Sequence, residues 1–373
     1  MKGLRRLGTL AATLALFLLS TVAQTGQSAA SYGYGFSTSV TIAKGLTGMT
    51  WDGKEFIASY GINNVPLVNV SLDGQTVTPF APKFVGKDEC YAAVSLGKAG
   101  FPAGYLYVNF DPSIYQIDPT GSTVTLFSTP PGSSRIAYVA FDTVGTWGYA
   151  LLALDDNGLL WSIRSDGTAK VLANFSSFAG PLSSQRGGLK PEGIAVAPQS
   201  FGAFAGYLFI TLEGAGKILA ISPNDTSKMT VVSTPGEQPE RVIQIPAASD
   251  LYVAEFDTGA RVRIPAANFS NYVGSLLVIT EGEVEPFGSF NVLQPAGNNF
   301  TLTRIGAVTG KPHYEGASFV PTSASPTGTQ TITTSESSTA GGVITPVLAA
   351  GAALLVAVVV LALYFISRRG GKS

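Results

Sequence analysis

The segment from Pro191 to Thr211, PEGIAVAPQSFGAFAGYLFIT, returns in altered form along the chain. This repetition limits the fold more than any other feature of the sequence. ECYAAVSLGKAGFPAGYLYVNF at 89–110 and RIPAANFSNYVGSLLVIT at 263–280 are further copies, and YEGASFVP at 314–321 restarts the unit. A period of roughly 40–50 residues built from short strands belongs to an array or ring of like modules.

Each unit reads as four strands. The first is small and apolar, as in Gly193-Ile194-Ala195-Val196. A loop with an aromatic residue and a glycine follows. The second strand opens on Tyr or Leu: Tyr105 to Val108, Tyr149 to Leu152, Tyr207 to Ile210, Leu251 to Val253. A third strand follows a tight turn (Ile114 to Ile117, Leu160 to Ile163), and a fourth closes the unit (Val124 to Phe127, Val171 to Ala173). Runs rich in Val, Ile, Tyr, Phe and Leu between Gly, Pro, Asn and Asp have this meaning. The pairs Asp52-Gly53, Asp73-Gly74, Asn157-Gly158 and Asp166-Gly167 are hairpin turns. Four antiparallel strands repeated radially make a β-propeller, in which few sheet edges stay open. Units start near Gly48, Glu89, Arg135, Glu192, Glu240 and Arg261, which predicts six blades, with seven as the alternative. The orphan strand at 34–43 and the orphan first strand YEGASFVP are expected to meet in one blade and close the ring.

The two ends have a different composition. Lys2, Arg5 and Arg6 precede an apolar run from Leu7 to Val22 and small residues at Ala23, Ala29 and Ala30, so 1–30 reads as a secretory signal. From Val343 to Ile366 there is no charged residue, a length that crosses a hydrocarbon core of about 30 Å as one C-terminal transmembrane helix. Arg368, Arg369 and Lys372 follow and put the tail, 367–373, on the cytoplasmic side. The chain is thus expected to be a single-pass type I protein of the cell membrane. A propeller at 31–321 stands outside on a Ser/Thr-rich stalk, 322–342, suited to O-glycosylation. Five Asn-X-Ser/Thr triplets, at Asn69, Asn174, Asn224, Asn268 and Asn299, are candidate glycan sites on such an exterior chain.

Charge excludes more than it suggests. Charged residues are 13% of the chain and the net charge is −1, with no basic stripe for nucleic acid. Cys90 is the single cysteine, so no intramolecular disulfide forms and the propeller is held by burial.

Glu89, Glu192, Glu240 and Glu315 each precede a first strand. In register, all four approach one end of the central channel. Carboxylates crowded there repel, so they need a hard cation or take up protons. Oxygen ligands from several blades suit Ca²⁺ or another divalent ion. The competing reading is structural: a Glu at a strand entrance accepts backbone N–H bonds from the next blade. His313 is the single histidine. With one His and one Cys, zinc sites of the usual N/S type are excluded. A His313–Glu315 acid–base pair is conceivable, against the simpler reading of a loop histidine. No G-x-S-x-G elbow and no phosphate loop occurs. Tyr91, Tyr138, Trp147, Phe201, Phe204, Tyr272 and Tyr314 are expected mostly to pack between blades.

Pro191-Glu192-Gly193-Ile194-Ala195-Val196, then Gly206-Tyr207-Leu208-Phe209-Ile210, then Lys217-Ile218-Leu219-Ala220-Ile221 resemble the six-bladed propellers of the NHL and SMP-30/gluconolactonase/strictosidine-synthase group. The resemblance implies the fold. For its lactonases it also implies a divalent ion held at the channel by acidic and amide side chains. Two functions follow as expectations: a surface-anchored module that binds a ligand or a protein partner, or an extracytoplasmic, divalent-metal-dependent hydrolase or lactonase of the SMP-30-like type. The absence of a complete catalytic set favours the first.

Overall fold

Six four-stranded antiparallel sheets account for nearly every strand of the computed structural model, which describes residues 38–61, 65–86, 89–179, 188–233, 237–282 and 287–324. Within each blade the strands run from the channel outward. Blade 1 is Leu46–Trp51, Phe56–Tyr60, Val68–Val70 and Val77–Pro79. Blade 2 is Ala92–Val94, Leu106–Phe110, Ser113–Ile117 and Val124–Ser128. Blade 3 is Ile136–Phe141, Leu151–Asp155, Leu159–Ile163 and Ala169–Asn174. Blade 4 is Pro191–Val196, Leu208–Leu212, Lys217–Ile221 and Met229–Ser233.

The last two blades depart from the expected order. Blade 5 starts with Gln238–Gln244, but its second strand is Leu276–Glu281, followed by Phe287–Ala296 and Asn299–Thr309. The hairpin that intervenes in sequence, Ser249–Glu255 with Ala260–Ile264, belongs to blade 6. There it lies between the inner strand Tyr314–Pro321 and the N-terminal strand Thr38–Thr41. The blade count is six, and the closure by 38–41 and 314–321 is as expected. Two expectations need correction. Leu251 to Val253 is not the partner of the strand at Glu240, and Arg261 lies in a third strand rather than starting a unit. The copy at 263–280 misled because its second half is genuine: Pro265, the 3₁₀ turn Ala266–Tyr272, Gly274 and Leu276–Glu281 match Pro198, Gln199–Phe204, Gly206 and Leu208–Leu212. Only the strand in front of it belongs elsewhere.

Packing follows from strand alternation. Six apolar clusters fill the six seams between neighbouring blades. Leu152, Leu154 and Leu160 of blade 3 meet Ile194, Leu208 and Ile210 of blade 4 in one of them. Phe201 and Tyr314 are buried in these seams, as expected, whereas Tyr91 is buried at the channel axis instead. Cys90 is buried as well.

The signal sequence at 1–30, the membrane helix at 343–366 and the tail at 367–373 lie outside the described residues, as does the stalk beyond Ala324. Among the described residues no helix is long and apolar enough to cross a membrane. The first stalk residues, Thr322–Ala324, form a 3₁₀ turn, and the Thr322 N–H donates to the Ala248 carbonyl at 2.8 Å.

Candidate functional site: a buried charge cluster closing one end of the channel

Five of the six inner strands, all but that of blade 2, carry a pairing irregularity near their start. The pairing skips between Pro191 and Gly193 in blade 4, between Pro239 and Arg241 in blade 5, and opposite Ala254 in blade 6. A bulge puts one extra residue on a strand and re-aims side chains there. Here the extra residues are Glu192, Glu240 and Glu315, and all three are at least 96% buried. Thr47 and Ala137 take the position in blades 1 and 3. In blade 2 Ala92 pairs with Val108, so Cys90 takes the glutamate position and Glu89 stands one residue ahead of it. Glu89 pairs at 3.1 Å with Arg135 on a half-exposed edge. The structure thus gathers Glu192, Glu240 and Glu315 around Arg241, while Glu89 turns to Arg135 yet stays close enough for its charge to raise Glu192.

The next residue in each blade decides what fills the axis: Gly48, Tyr91, Tyr138, Gly193, Arg241 and Gly316 in blade order. The three glycines are required by close approach. A Cβ on Gly193 would meet the Val242 amide nitrogen at 2.8 Å, and one on Gly316 would meet the Thr47 carbonyl oxygen at 2.3 Å. The freed space takes the three large side chains. Arg241, 1% exposed, reaches from blade 5 across the axis. Its guanidinium lies 4.0 Å from the Tyr91 ring centre and 4.8 Å from that of Tyr138. Nη1 stands 2.9 Å from Glu240 Oε1 and 3.6 Å from Glu192 Oε2, while Nη2 stands 3.9 Å from Glu315 Oε2. Nη1 also donates to the Glu192 carbonyl. The positive charge among the glutamates is therefore supplied from within the chain.

A second layer lies at the ends of the second strands. Glu213 and Glu281 follow the same position in blades 4 and 5. Lys190 Nζ is 3.3 Å from Glu213 Oε2, and Gln238 donates to Glu213 Oε1. His313 Nε2 is 2.7 Å from Glu281 Oε1 and 3.0 Å from Glu315 Oε1, and its ring packs on Phe256 at 4.7 Å. The backbone N–H of His313 donates to Glu255 Oε1 at 3.2 Å. The Tyr91 hydroxyl donates to Glu315 Oε2 at 2.9 Å.

These surroundings separate the acids. Burial, with the nearby carboxylates, pushes Glu192 and Glu240 well above the usual range despite Arg241. Burial likewise pushes Glu281 up to about 8. Burial acts the same way on Glu315, but the hydrogen bond from His313, the Arg241 charge and the Tyr91 hydroxyl together hold it below the usual range. Burial pulls the His313 imidazole down, yet its bonds to Glu281 and Glu315 win and raise it to about 11. An imidazole held protonated to that pH is a fixed cation, not a base poised near neutrality.

Among the described residues two groups have the spacing to hold a metal: Glu281, His313 and Glu315, and Glu213, Glu240 and Glu281, with ligand atoms within 4.8 Å of one another in each. The first would require His313 to lose the proton that its neighbours hold. The second is all oxygen and fits a hard divalent cation better.

Sequence reading missed Arg241, Glu213 and Glu281. The signals were present: Arg241 stands where two other good copies of the unit have glycine, and LFITLE and LLVITE end two second strands alike.

Beyond Tyr138 the channel opens as a cavity of about 340 Å³, walled by inner-strand residues of all six blades, among them Thr50, Ala92, Ala140, Ala195, Gln244 and Phe319. Among the described residues, then, one end of the channel is closed by the Arg241 layer and the other is open.

No family model matches this sequence, and no curated protein matches it. Solved structures do. A chain of the nidogen–laminin complex is 14% identical over 74% of this chain and 85% of that one, with a TM-score of 0.48. A streptogramin B lyase is 13% identical over 72% of this chain and 86% of its own, with a TM-score of 0.40. A gluconolactonase of Xanthomonas campestris is 12% identical over 74% and 89%, with a TM-score of 0.39. What the chain shares with them is the propeller architecture.

Proposed function

We propose that this chain is a binding propeller, exported and held at the outer face of a membrane by 343–366, that takes a small uncharged ligand in the open part of its axial channel. The observation that carries the reading is the separation of wall from charge. The cavity is lined by Ala, Val, Ile, Phe, Thr, Ser and Gln side chains and by Tyr138, with no carboxylate, ammonium, guanidinium, imidazole or thiol among its lining residues. Such a wall supplies shape and hydrogen bonds but no general base or activated nucleophile. Its volume is that of a small-molecule site, which typically begins at about 300 Å³. The charged groups stand on the far side of Tyr138 and are engaged with one another.

The test uses immobilised protein and an extract of the medium in which its own cells grow. Small molecules released from the washed protein are compared by mass spectrometry with those from Ala317→Phe and Ala140→Phe, which narrow the channel from opposite blades. A species retained by the wild type and lost in both variants supports the reading. Equal retention by all three, or conversion of the species in solution, overturns it.

A second reading, a divalent-metal-dependent hydrolase, has one observation of its own: the oxygen-only group of Glu213, Glu240 and Glu281. Ca²⁺ is the ion whose chemistry that group suits. Stoichiometric Ca²⁺ in the purified protein, lost in Glu281→Gln and on EDTA treatment with a fall in thermal stability, is its expected result. Purified protein without a bound ion, and with unchanged melting in EDTA, removes it.

A further inference from the structure

The fold sorts the five Asn-X-Ser/Thr triplets into two groups. Asn69 lies in the third strand of blade 1, paired with Ile57 on one side and Thr78 on the other, and is half-buried. Asn268 lies in the 3₁₀ turn 266–272, is half-buried, and lines a cavity of about 310 Å³ beside Phe290 and Arg304. Both side chains are partly enclosed by their neighbours, which disfavours a bulky polar oligosaccharide there.

Asn174, Asn224 and Asn299 are exposed, and all three belong to the rim of the propeller. Asn174 ends the outer strand of blade 3, Asn224 lies in the turn that leads into the outer strand of blade 4, and Asn299 begins the outer strand of blade 5. At Asn174 the side chain is already turned for the purpose. Its Oδ1 accepts the Ser176 N–H at 3.0 Å and the Ser176 hydroxyl at 2.7 Å. Both bonds engage the amide oxygen and leave Nδ2, the atom that receives the sugar, out of either bond on an exposed residue.

The same rim carries open sheet edges. Val171 and Val231, each beside the extra residue of a bulge in the outer strand of blades 3 and 4, are 40% and 42% exposed. An unpaired outer strand with exposed aliphatic residues is a template for edge-to-edge pairing unless something covers it. Charged residues, the usual deterrent, are only 13% of this chain.

We propose that Asn174, Asn224 and Asn299 carry N-linked oligosaccharides while Asn69 and Asn268 stay bare, so that hydrated glycans cover the outer edges of three successive blades. The inference rests on the exported location proposed above. The donor is an oligosaccharide linked through phosphate or pyrophosphate to a lipid. A bond forms between the asparagine nitrogen and sugar C1, the bond from C1 to the phosphate oxygen breaks with its electron pair on that oxygen, and the amide gives one proton to a base.

The experiment is glycopeptide mapping of the full-length protein isolated from membranes of its own cells, with Ser176→Ala beside the wild type. The expected result is a sugar mass increment on the peptides holding Asn174, Asn224 and Asn299, and none on those holding Asn69 and Asn268. Ser176→Ala loses the increment at Asn174 alone, with Asn174 still present. Glycan on Asn69 or Asn268, or an increment at Asn174 that survives Ser176→Ala, overturns the proposal. Bare peptides from protein that external protease still reaches overturn it while the location stands. Bare peptides from protein sealed inside the cell overturn both.

Discussion

Arg241 is the residue on which the closed end of the channel depends. Removing one partner from a buried ionic cluster leaves uncompensated charge, at a cost of about 3–5 kcal/mol. Arg241→Met is therefore expected to lower unfolding free energy by about that amount. Arg241→Lys does not restore it, because an ammonium group cannot lie flat on two tyrosine rings and reach three carboxylates. Denaturant titration of both variants checks this, and a lysine variant as stable as the wild type refutes it. The glycines make the complementary case: Gly193→Ala forces a Cβ against backbone of the next blade. Overpacking of this kind costs roughly 1–3 kcal/mol. The acids predict an unusual pH response. Glu281 titrates at about 8 in the folded chain, above its unfolded value, so its stabilising share is complete at low pH and is lost as pH rises through about 8. Glu192 and Glu240 are shifted the same way. The share of His313 is complete below its unfolded value of about 6.5 and is lost only as pH rises through about 11. Within the cluster, Glu315 runs in the opposite sense: its share is lost as pH falls through its lowered value. The melting temperature is thus expected to rise on going from pH 8 to pH 5, and Glu281→Gln to flatten that slope. A melting temperature that falls steadily over this interval contradicts the assignment.

At the scale of strands, the bulge is what the sequence conceals. Alternation and turn pairs reveal where strands lie, and the four-strand unit, the small inner strand and the closing pair 38–41 and 314–321 were legible from them. A single extra residue is not, and a slip of one position sends a side chain to a different place. That is why Glu89 reads as the equal of Glu192 in sequence, whereas in the sheet Cys90 holds the equivalent position. The same bulge hides Arg241, which as part of Pro-Glu-Arg looks like an ordinary strand entrance. His313 looked like a loop residue because the carboxylate it meets, Glu281, comes from another blade. The closing strand gives a prediction of its own. Thr38–Thr41 is the outer strand of blade 6 and pairs with Ala260–Ile264. A chain starting at Lys44 leaves that third strand as an open edge. It is expected to unfold at lower temperature and to self-associate on concentration, as light scattering would register. A monodisperse protein with unchanged melting would show that the strand does not close the ring.

For the whole molecule, the exchange between blades 5 and 6 matters most. The chain leaves blade 5 after Gln244, builds two strands of blade 6, and returns at Leu276. Blade 5 gains its second strand only after the chain has passed through two strands of blade 6, and blade 6 gains its inner strand only after blade 5 is built, so the contacts of both span long sequence separations, which slows folding. The two blades are expected to open together. In native-state hydrogen exchange, the slow amides of 238–244, 249–255 and 276–281 should share one opening free energy. Distinct values for 249–255 and 276–281 would mean that the blades open independently. A propeller of separate blades can gain or lose one by duplicating or deleting a single stretch of gene. Here that route is barred between blades 5 and 6, since any cut that removes one of them also cuts the other. The smallest contiguous segment that could be copied or dropped runs from Gln238 to Pro321 and carries both, apart from the strand lent by the N-terminus. A lineage that inherits this exchange can therefore change its blade number there only in twos.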